Sequence, residues 1–504
     1  MVDIKTLESW LWEAACSIRG QLDAPKYKDY ILPLIFVKRL SDVYDDEIVK
    51  LTKEYGNRKL AEDLVAKDRS LVRFYIAPEC SWSVIRTHTE KGLGEKLTSV
   101  VRQIAKDNPR LDGVIDIIDF NATAGGQRNI SDGKLSKLIE IISKHRLGLD
   151  DTEPDILGRA YEYLLRKFAE GQGQSAGEFY TPKEVGWLMA YILDPKEGQS
   201  VYDPACGSGG LLVKCQLVLR EKQQKVDQPL QLYGQEFNSV TFAMAKMNMI
   251  IHDMEGKIAI GDTLLNPKFL QGANLKSFDL VTANPMWNQD GYGESFYDED
   301  KFNRFPFGFL NQNSADWGWS QHMLASLKPD GRACVVLDTG AVSRGSGNNN
   351  KDKERDVRKA VVEKDWIEAV ILLPDNLFYN TTAPGIIIVF NKNKIKYRQN
   401  KIILINASDE KKKSKESSKN YLPEISVDKI VEAYQKFEDQ NKFSKVVGIE
   451  EVRKSDYNLS PSRYVQNGED EVIREIDEIW SEIQQVEREE KEVDVEIRKI
   501  IKSL

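Results

Sequence analysis

The chain has 504 residues, 41% hydrophobic and 30% charged, a composition that excludes a disordered polar chain and leaves ample material for a core. The formal net charge of -8 excludes a protein that holds nucleic acid by bulk charge alone; a local patch or a partner must supply much of the phosphate attraction. Five scattered cysteines without a CxxC pair argue against a disulfide framework or a zinc site and suit a reducing cytosol.

The four histidines do not cluster, which disfavours a His-based metal site. The start, MVDIKTLESWLWEAACSIRG, lacks the pattern of a secretory signal, and no apolar run is long enough to span a membrane. A cytoplasmic protein is therefore expected.

Residues 1–170 predict a helical N-terminal domain. YKDYILPLIFVKRLSDVYDDEI and DILGRAYEYLLRKFAEG carry apolar residues at helical spacing. The Gly/Gln/Ser stretch GQGQSAGE that follows reads as a boundary or hinge. Residues 171–430 form the predicted catalytic domain. Its short apolar runs SVYDPA, QLYGQEF, KIAIGD, FDLVTANP, RACVVLD, IEAVILLP and GIIIVFN alternate with helical patterns. That alternation implies βαβ units and a largely parallel sheet. The last two runs are joined by DNLFYNTTAP, so the final strand can pair antiparallel, and KIILINAS can add an edge strand.

In the tail, 431–504, apolar residues from Val472 to Leu504 recur in steps of four and three, broken at Glu490. They predict one long helix with a coiled-coil face for docking a partner, about 50 Å long at 1.5 Å per residue. GSGNNNKDKERDVRK reads as a mobile basic loop; Arg344, Lys351, Lys353, Arg355, Arg358 and Lys359 are candidate phosphate contacts.

The chemistry lies at the strand ends. VYDPACGSGGLL runs strand, Asp-Pro turn, Gly-rich loop, helix. Gly207 and Gly209 let backbone approach a ligand, and the helix N-terminus offers N–H groups to an anion. Leu212 occupies the third glycine position of the dinucleotide fingerprint. The spacing D-x-A-x-G-x-G-G, carried by Asp203, Ala205, Gly207, Gly209 and Gly210 around Ser208, suits S-adenosylmethionine instead. Its carboxylate can sit at the loop and its ammonium at Asp203. Glu236 ends the next strand and can hold ribose hydroxyls; Asp262 ends the third and can meet the adenine amino group. Alone, each reads equally well as a helix cap.

ANPMW closes the fourth strand on the same edge. Asn284 Oδ1 and the Pro285 carbonyl can accept both hydrogens of a planar amino group and direct its delocalised lone pair at a methyl donor. Trp287 can stack on a flipped base. The plain alternative is an Asn-Pro turn with a core tryptophan.

DPACGSGG followed by an NPP(F/Y)-type motif resembles the amino-methyltransferases. With GEFYTP at 177–182, YKDYILPLIFVKRLSD and YNLSPSRYV, nearly the whole chain resembles the modification subunit of type I restriction-modification systems. The resemblance implies the class I S-adenosylmethionine-dependent methyltransferase fold, a mostly parallel seven-stranded sheet with helices on both faces. It implies N6-methylation of adenine in double-stranded DNA. It also implies that Glu178, Phe179, Tyr180, Thr181 and Pro182 help enclose the cofactor. Two copies would join one specificity subunit, with a restriction helicase-nuclease subunit as a further partner. Met286 and Trp287 depart from the family's Pro and Phe/Tyr. RNA or a protein glutamine amide as acceptor, and a catalytically weakened assembly or DNA-clamp subunit, remain as alternatives.

Overall fold

The computed structural model describes residues 4–465 except 20–26, 88–90, 112–114, 116–118, 125–126, 153–155, 157–159, 161–162, 165–180, 224–225, 290–291, 309–313, 348–352, 379–380 and 415–418. The coiled-coil helix, the GQGQSAGE boundary and most of DILGRAYEYLLRKFAEG lie outside the described residues.

The N-terminal region is helical, as its periodicity predicts. Its longer helices are α1 (Ile4–Ser17), α2 (Tyr27–Tyr55), α3 (Leu93–Asp107) and α4 (Asp132–Ile142). Leu7, Leu34, Leu40, Leu97 and Leu138 are buried in one cluster. Each such side chain contributes about 1.5–3 kcal/mol.

The seven expected strands form. They are β1 (Ser200–Asp203), β2 (Gln231–Glu236), β3 (Gly256–Ile260), β4 (Phe278–Ala283), β5 (Leu327–Asp338), β6 (Ile367–Leu372) and β7 (Gly385–Asn391). β8 (Lys401–Asn406) and β9 (Ser444–Gly448) extend the sheet to nine, in the order β9-β8-β6-β7-β5-β4-β1-β2-β3. β7 is antiparallel to both neighbours, as its connector allows. KIILINAS is not the edge, because β9 pairs outside it. The sheet thus continues past the expected domain limit at 430, since β9 completes the open hydrogen-bonding side of β8.

One face of the sheet is covered by α5 (Lys183–Leu193), α6 (Gly210–Lys222) and α10 (Glu424–Lys436). The other carries α8 (Asp316–Ala325) and α9 (Lys353–Glu363). α7 (Ser239–Ile251) serves two layers: Ala245 and Met249 face the sheet core, while Met244, Met247 and Ile251 belong to the N-terminal cluster. Two-sided burial is why the central strands β4 to β7 are rich in apolar runs, whereas β3, at the sheet edge, is only partly covered. β1 lies between β2 and β4, where chain progression reverses direction across the sheet. The carboxyl ends of β1 and β4 therefore flank the crevice in which open α/β sheets bind ligands.

Candidate active site

The Gly-rich loop leaves β1 through a fixed turn. Asp203 Oδ1 accepts from Ala205 N–H at 3.0 Å, and Thr263 Oγ1 donates to the Pro204 carbonyl at 2.6 Å. Gly207 and Gly209 have φ of +52° and +80°, where a side chain is strained. A Cβ at Gly207 would meet nothing within 4 Å, so the backbone borders open space. At Gly209 it would lie 3.2 Å from Met249 Cε. Gly209→Ala is expected to destabilise the protein by about 1–2 kcal/mol from left-handed strain alone, read as a lower melting temperature. Asn248 Nδ2 anchors the loop by donating to the Ser208 carbonyl at 3.0 Å.

Glu236, at the end of β2, ties the neighbouring strand end to the loop. It accepts from Gly207 N–H at 2.8 Å, Asn238 N–H at 2.8 Å and Thr241 Oγ1 at 3.0 Å. A carboxylate has about four lone-pair sites, so capacity remains for a further donor. Asp262 follows β3; it accepts from Leu265 N–H at 2.9 Å and from the Tyr292 hydroxyl at 3.1 Å. Phe237, 76% exposed, and Leu265, 62% exposed, follow Glu236 and Asp262 in sequence. The sequence reading missed both, although an exposed aromatic directly after an acidic strand end is a usable signal.

A small cleft is lined by Thr181, Asp203, Ala205, Gly207, Ser208, Gly210 and Asn284 among the predicted residues, and by Cys206, Leu211 and Lys214. Glu236 joins it through Gly207, whereas Asp262 lies with Tyr292. Glu178, Phe179 and Tyr180 lie outside the described residues; Pro182 immediately precedes α5. Asp203 is 1% exposed. Burial, with the nearby Glu236 charge, pushes its carboxyl up to about 8, against the single hydrogen bond from Ala205.

Asn284 is 7% exposed and both ends of its amide are engaged. Nδ2 donates to Thr181 Oγ1 at 3.0 Å, and Oδ1 accepts from Trp287 Nε1 at 3.2 Å. The stacking platform expected of Trp287 is not open in this conformation. Its indole is buried against Phe378, ring centroids 4.7 Å apart at 66°, and beside Gly385. Met286 is the exposed member of the motif.

The described arginines of the basic segment are paired within the protein. Arg344 joins Asp316, Asp338 and Glu354, and donates to Asn288 Oδ1 at 3.0 Å. Arg355 pairs with Asp456, and Arg358 donates to the carbonyls of Tyr457 and Ala341. Lys359 lies over the Tyr457 ring at 5.5 Å; Lys351 is outside the described residues. Acidic and carbonyl groups distant in sequence thus receive these arginines, while Lys353, the other described candidate, is exposed.

Residues 152–472 match the family N-6 DNA Methylase, and residues 7–142 match the HsdM N-terminal domain. The methylase subunit of the type I restriction enzyme MjaVIII, from Methanocaldococcus jannaschii, is 36% identical, covering 95% of this chain and 81% of that protein. The chain belongs to the methylase subunits of type I restriction enzymes. As an N-6 DNA methylase it is an adenine-specific DNA methyltransferase. The MpnII methylase subunit from Mycoplasma pneumoniae is 28% identical over 99% of this chain and 96% of its own length. A solved type I methyltransferase subunit from Streptococcus thermophilus superposes with a TM-score of 0.73 at 29% identity, covering 92% of this chain and all of that one. Among the described residues of this methylase subunit, no helix is long and apolar enough to cross a membrane.

Proposed function

We propose that this methylase subunit transfers the methyl group of S-adenosylmethionine to N6 of an adenine rotated out of double-stranded DNA. The observation that carries the reading is one cleft at the sheet's reversal point, lined by Asp203, the Gly-rich loop and Asn284. The cofactor supplies an electrophilic methyl on a sulfonium. The residues fit it: a glycine edge without a Cβ neighbour, a buried carboxylate for an ammonium, and Glu236 with capacity for a ribose hydroxyl. Asp262, which accepts from Leu265 N–H and the Tyr292 hydroxyl after β3, is the candidate for the adenine amino group.

Asn284 Oδ1 and the Pro285 carbonyl hold the target amino group and orient its lone pair; catalysis is mainly positioning and electrostatics. Trp287 orients the amide, its indole N–H fixing which end of Asn284 is the acceptor. Trp287→Phe keeps the ring packing but loses that donor. It is expected to lower the single-turnover methylation rate by about fivefold, the worth of roughly 1 kcal/mol; an unchanged rate removes the orienting role.

The C-terminal segment whose sequence predicts a coiled-coil helix, Val472 to Leu504, is the element that docks a specificity subunit reading the DNA, two copies of this chain per reader, with a restriction helicase-nuclease subunit as a further partner. Supporting this are an acidic chain and a basic loop whose arginines are internally paired. Modification-sensitive sequencing of genomic DNA from cells expressing this chain with its neighbouring operon genes tests the function. N6-methyladenine at a single two-part motif is expected. Methyl transfer to RNA or protein but not DNA would overturn the reading; cofactor-free assembly without transfer would favour the clamp.

A further inference from the structure

We propose that Arg344 is a positioning residue for methyl transfer: through Asn288, the residue directly after ANPMW, it fixes the turn that aims Asn284 and the Pro285 carbonyl. The inference rests on the adenine-transfer reading and adds to it a residue outside the motif. Asn288 has a φ of +51°, a left-handed conformation that is strained for L-residues and that asparagine tolerates better than most. Such a turn persists only where its surroundings hold it, and its relaxation would redirect the chain on both sides.

Two contacts hold it. The Asn288 N–H donates to Asp316 Oδ1 at 3.0 Å, and its side-chain Oδ1 accepts from Arg344 Nη1 at 3.0 Å. Asp316, fully buried at the start of α8, gives its other oxygen to Arg344 Nη2. Asn288, Asp316 and Arg344 thus close a ring. One residue earlier, the Trp287 indole donates to Asn284 Oδ1, so the held turn reaches the acceptor amide in one step.

Arg344 can hold the turn because it is itself immobilised. A guanidinium has five N–H donors in a fixed fork, and five acceptor groups surround this one. Nε meets Glu354 Oε2, Nη1 meets Asn288 Oδ1 and Asp338 Oδ2, and Nη2 meets Asp316 Oδ2 and Ser314 Oγ. Asp338 ends β5, Asp316 opens α8 and Glu354 lies buried on α9. Three carboxylates satisfy the charge without Asn288. The contact with the neutral, exposed Asn288 amide is not needed for neutralisation; its effect falls on the turn.

The test is single-turnover methylation of DNA by the complex of this chain with the products of its neighbouring operon genes, with S-adenosylmethionine and DNA affinities measured in parallel. Asn288→Gly keeps the left-handed backbone and the N–H contact with Asp316, leaves Arg344 its three carboxylates, and removes the side-chain acceptor. It is expected to slow transfer about tenfold, the scale of one hydrogen bond to a charged group, while both dissociation constants stay within about twofold. Asn288→Asp, which restores an acceptor for Arg344, should bring the rate back to within about threefold of wild type. Arg344→Lys, with three donors on a flexible stem, should slow transfer more than Asn288→Gly does and lower the melting temperature. Asn288→Gly transferring at the wild-type rate overturns the assignment, as does a slow Asn288→Gly that weakens both ligands in proportion or that Asn288→Asp does not rescue. The Asn288 variants decide the matter where the lysine variant does not fold. Wild type that binds DNA and methylates none of it overturns the adenine-transfer reading itself, a result distinct from a slowed variant.

Discussion

Asn284→Ala is expected to slow methyl transfer by about 10²–10³-fold or more, the usual scale for removing a group that stabilises developing charge. The dissociation constant for S-adenosylmethionine should change by less than about threefold, since Asn284 closes the acceptor side of the cleft while the Gly-rich loop forms the other. Adenine's amino nitrogen is a poor nucleophile because its lone pair is delocalised into the ring. Accepting its hydrogens at Oδ1 and at the Pro285 carbonyl returns density to nitrogen as the methyl arrives. The amide cannot flip, because Thr181 Oγ1 receives Nδ2 while the Trp287 indole donates to Oδ1. One lone pair of Oδ1 thus remains for the substrate. The alanine variant also leaves those two partners without Asn284, so its melting temperature must be recorded beside its rate. Single-turnover transfer of a labelled methyl, with cofactor binding measured in parallel, separates the effects. Transfer at the wild-type rate would remove Asn284 from the chemistry.

Asp203→Asn should act in opposite directions on binding and stability. Burial pushes the Asp203 carboxyl up to about 8, so at pH 7 it is largely protonated in the ligand-free protein. An arriving ammonium needs the charged form. Wild-type binding at pH 7 should therefore release about one proton, seen as a binding enthalpy that varies with the ionisation enthalpy of the buffer. Asp203→Asn should lose that dependence and bind the cofactor at least about tenfold more weakly. A proton count near zero in wild type would sink the ammonium role.

The stability effect has the opposite sign. The unfolded chain ionises Asp203 near the ordinary value of 3.8, while the folded chain resists until about 8. Between those values folding takes up a proton. The contribution of Asp203 is most favourable below 3.8 and erodes as pH rises toward 8, by up to about 1.4 kcal/mol per pH unit. The asparagine carries no such slope, so the stability advantage of the variant over wild type should widen from pH 5 to pH 8. Thermal unfolding at both values measures it; a constant gap would mean that Asp203 is ionised throughout.

The strand-end acids, the Gly-rich loop and ANPMW were legible because each signal is local. A strand buried on both faces needs a run of apolar residues, and a ligand edge needs glycines and acids at fixed offsets from it. Eight of the nine sheet strands, β1 to β8, announce themselves in this way. SKVVG, the ninth, has only two adjacent apolar residues in a charged stretch; the open side of β8 makes it a strand.

Side-chain direction was not legible, because it depends on partners far away in sequence. Lys214 reads as one cation in an apolar helix, and its burial follows from the bare surface of Gly186 on another helix. Arg344 and Arg355 of the basic loop read as candidate phosphate contacts until Asp316, Asp338 and Asp456 fold against them. Trp287 reads as an open stacking ring until Phe378 covers it. The sequence by itself determined the reaction class, and through backbone pattern and motif spacing it placed the candidate residues at one edge of the sheet. Only the tertiary structure decided which charges meet each other, because that is set by three-dimensional proximity between groups dozens of residues apart.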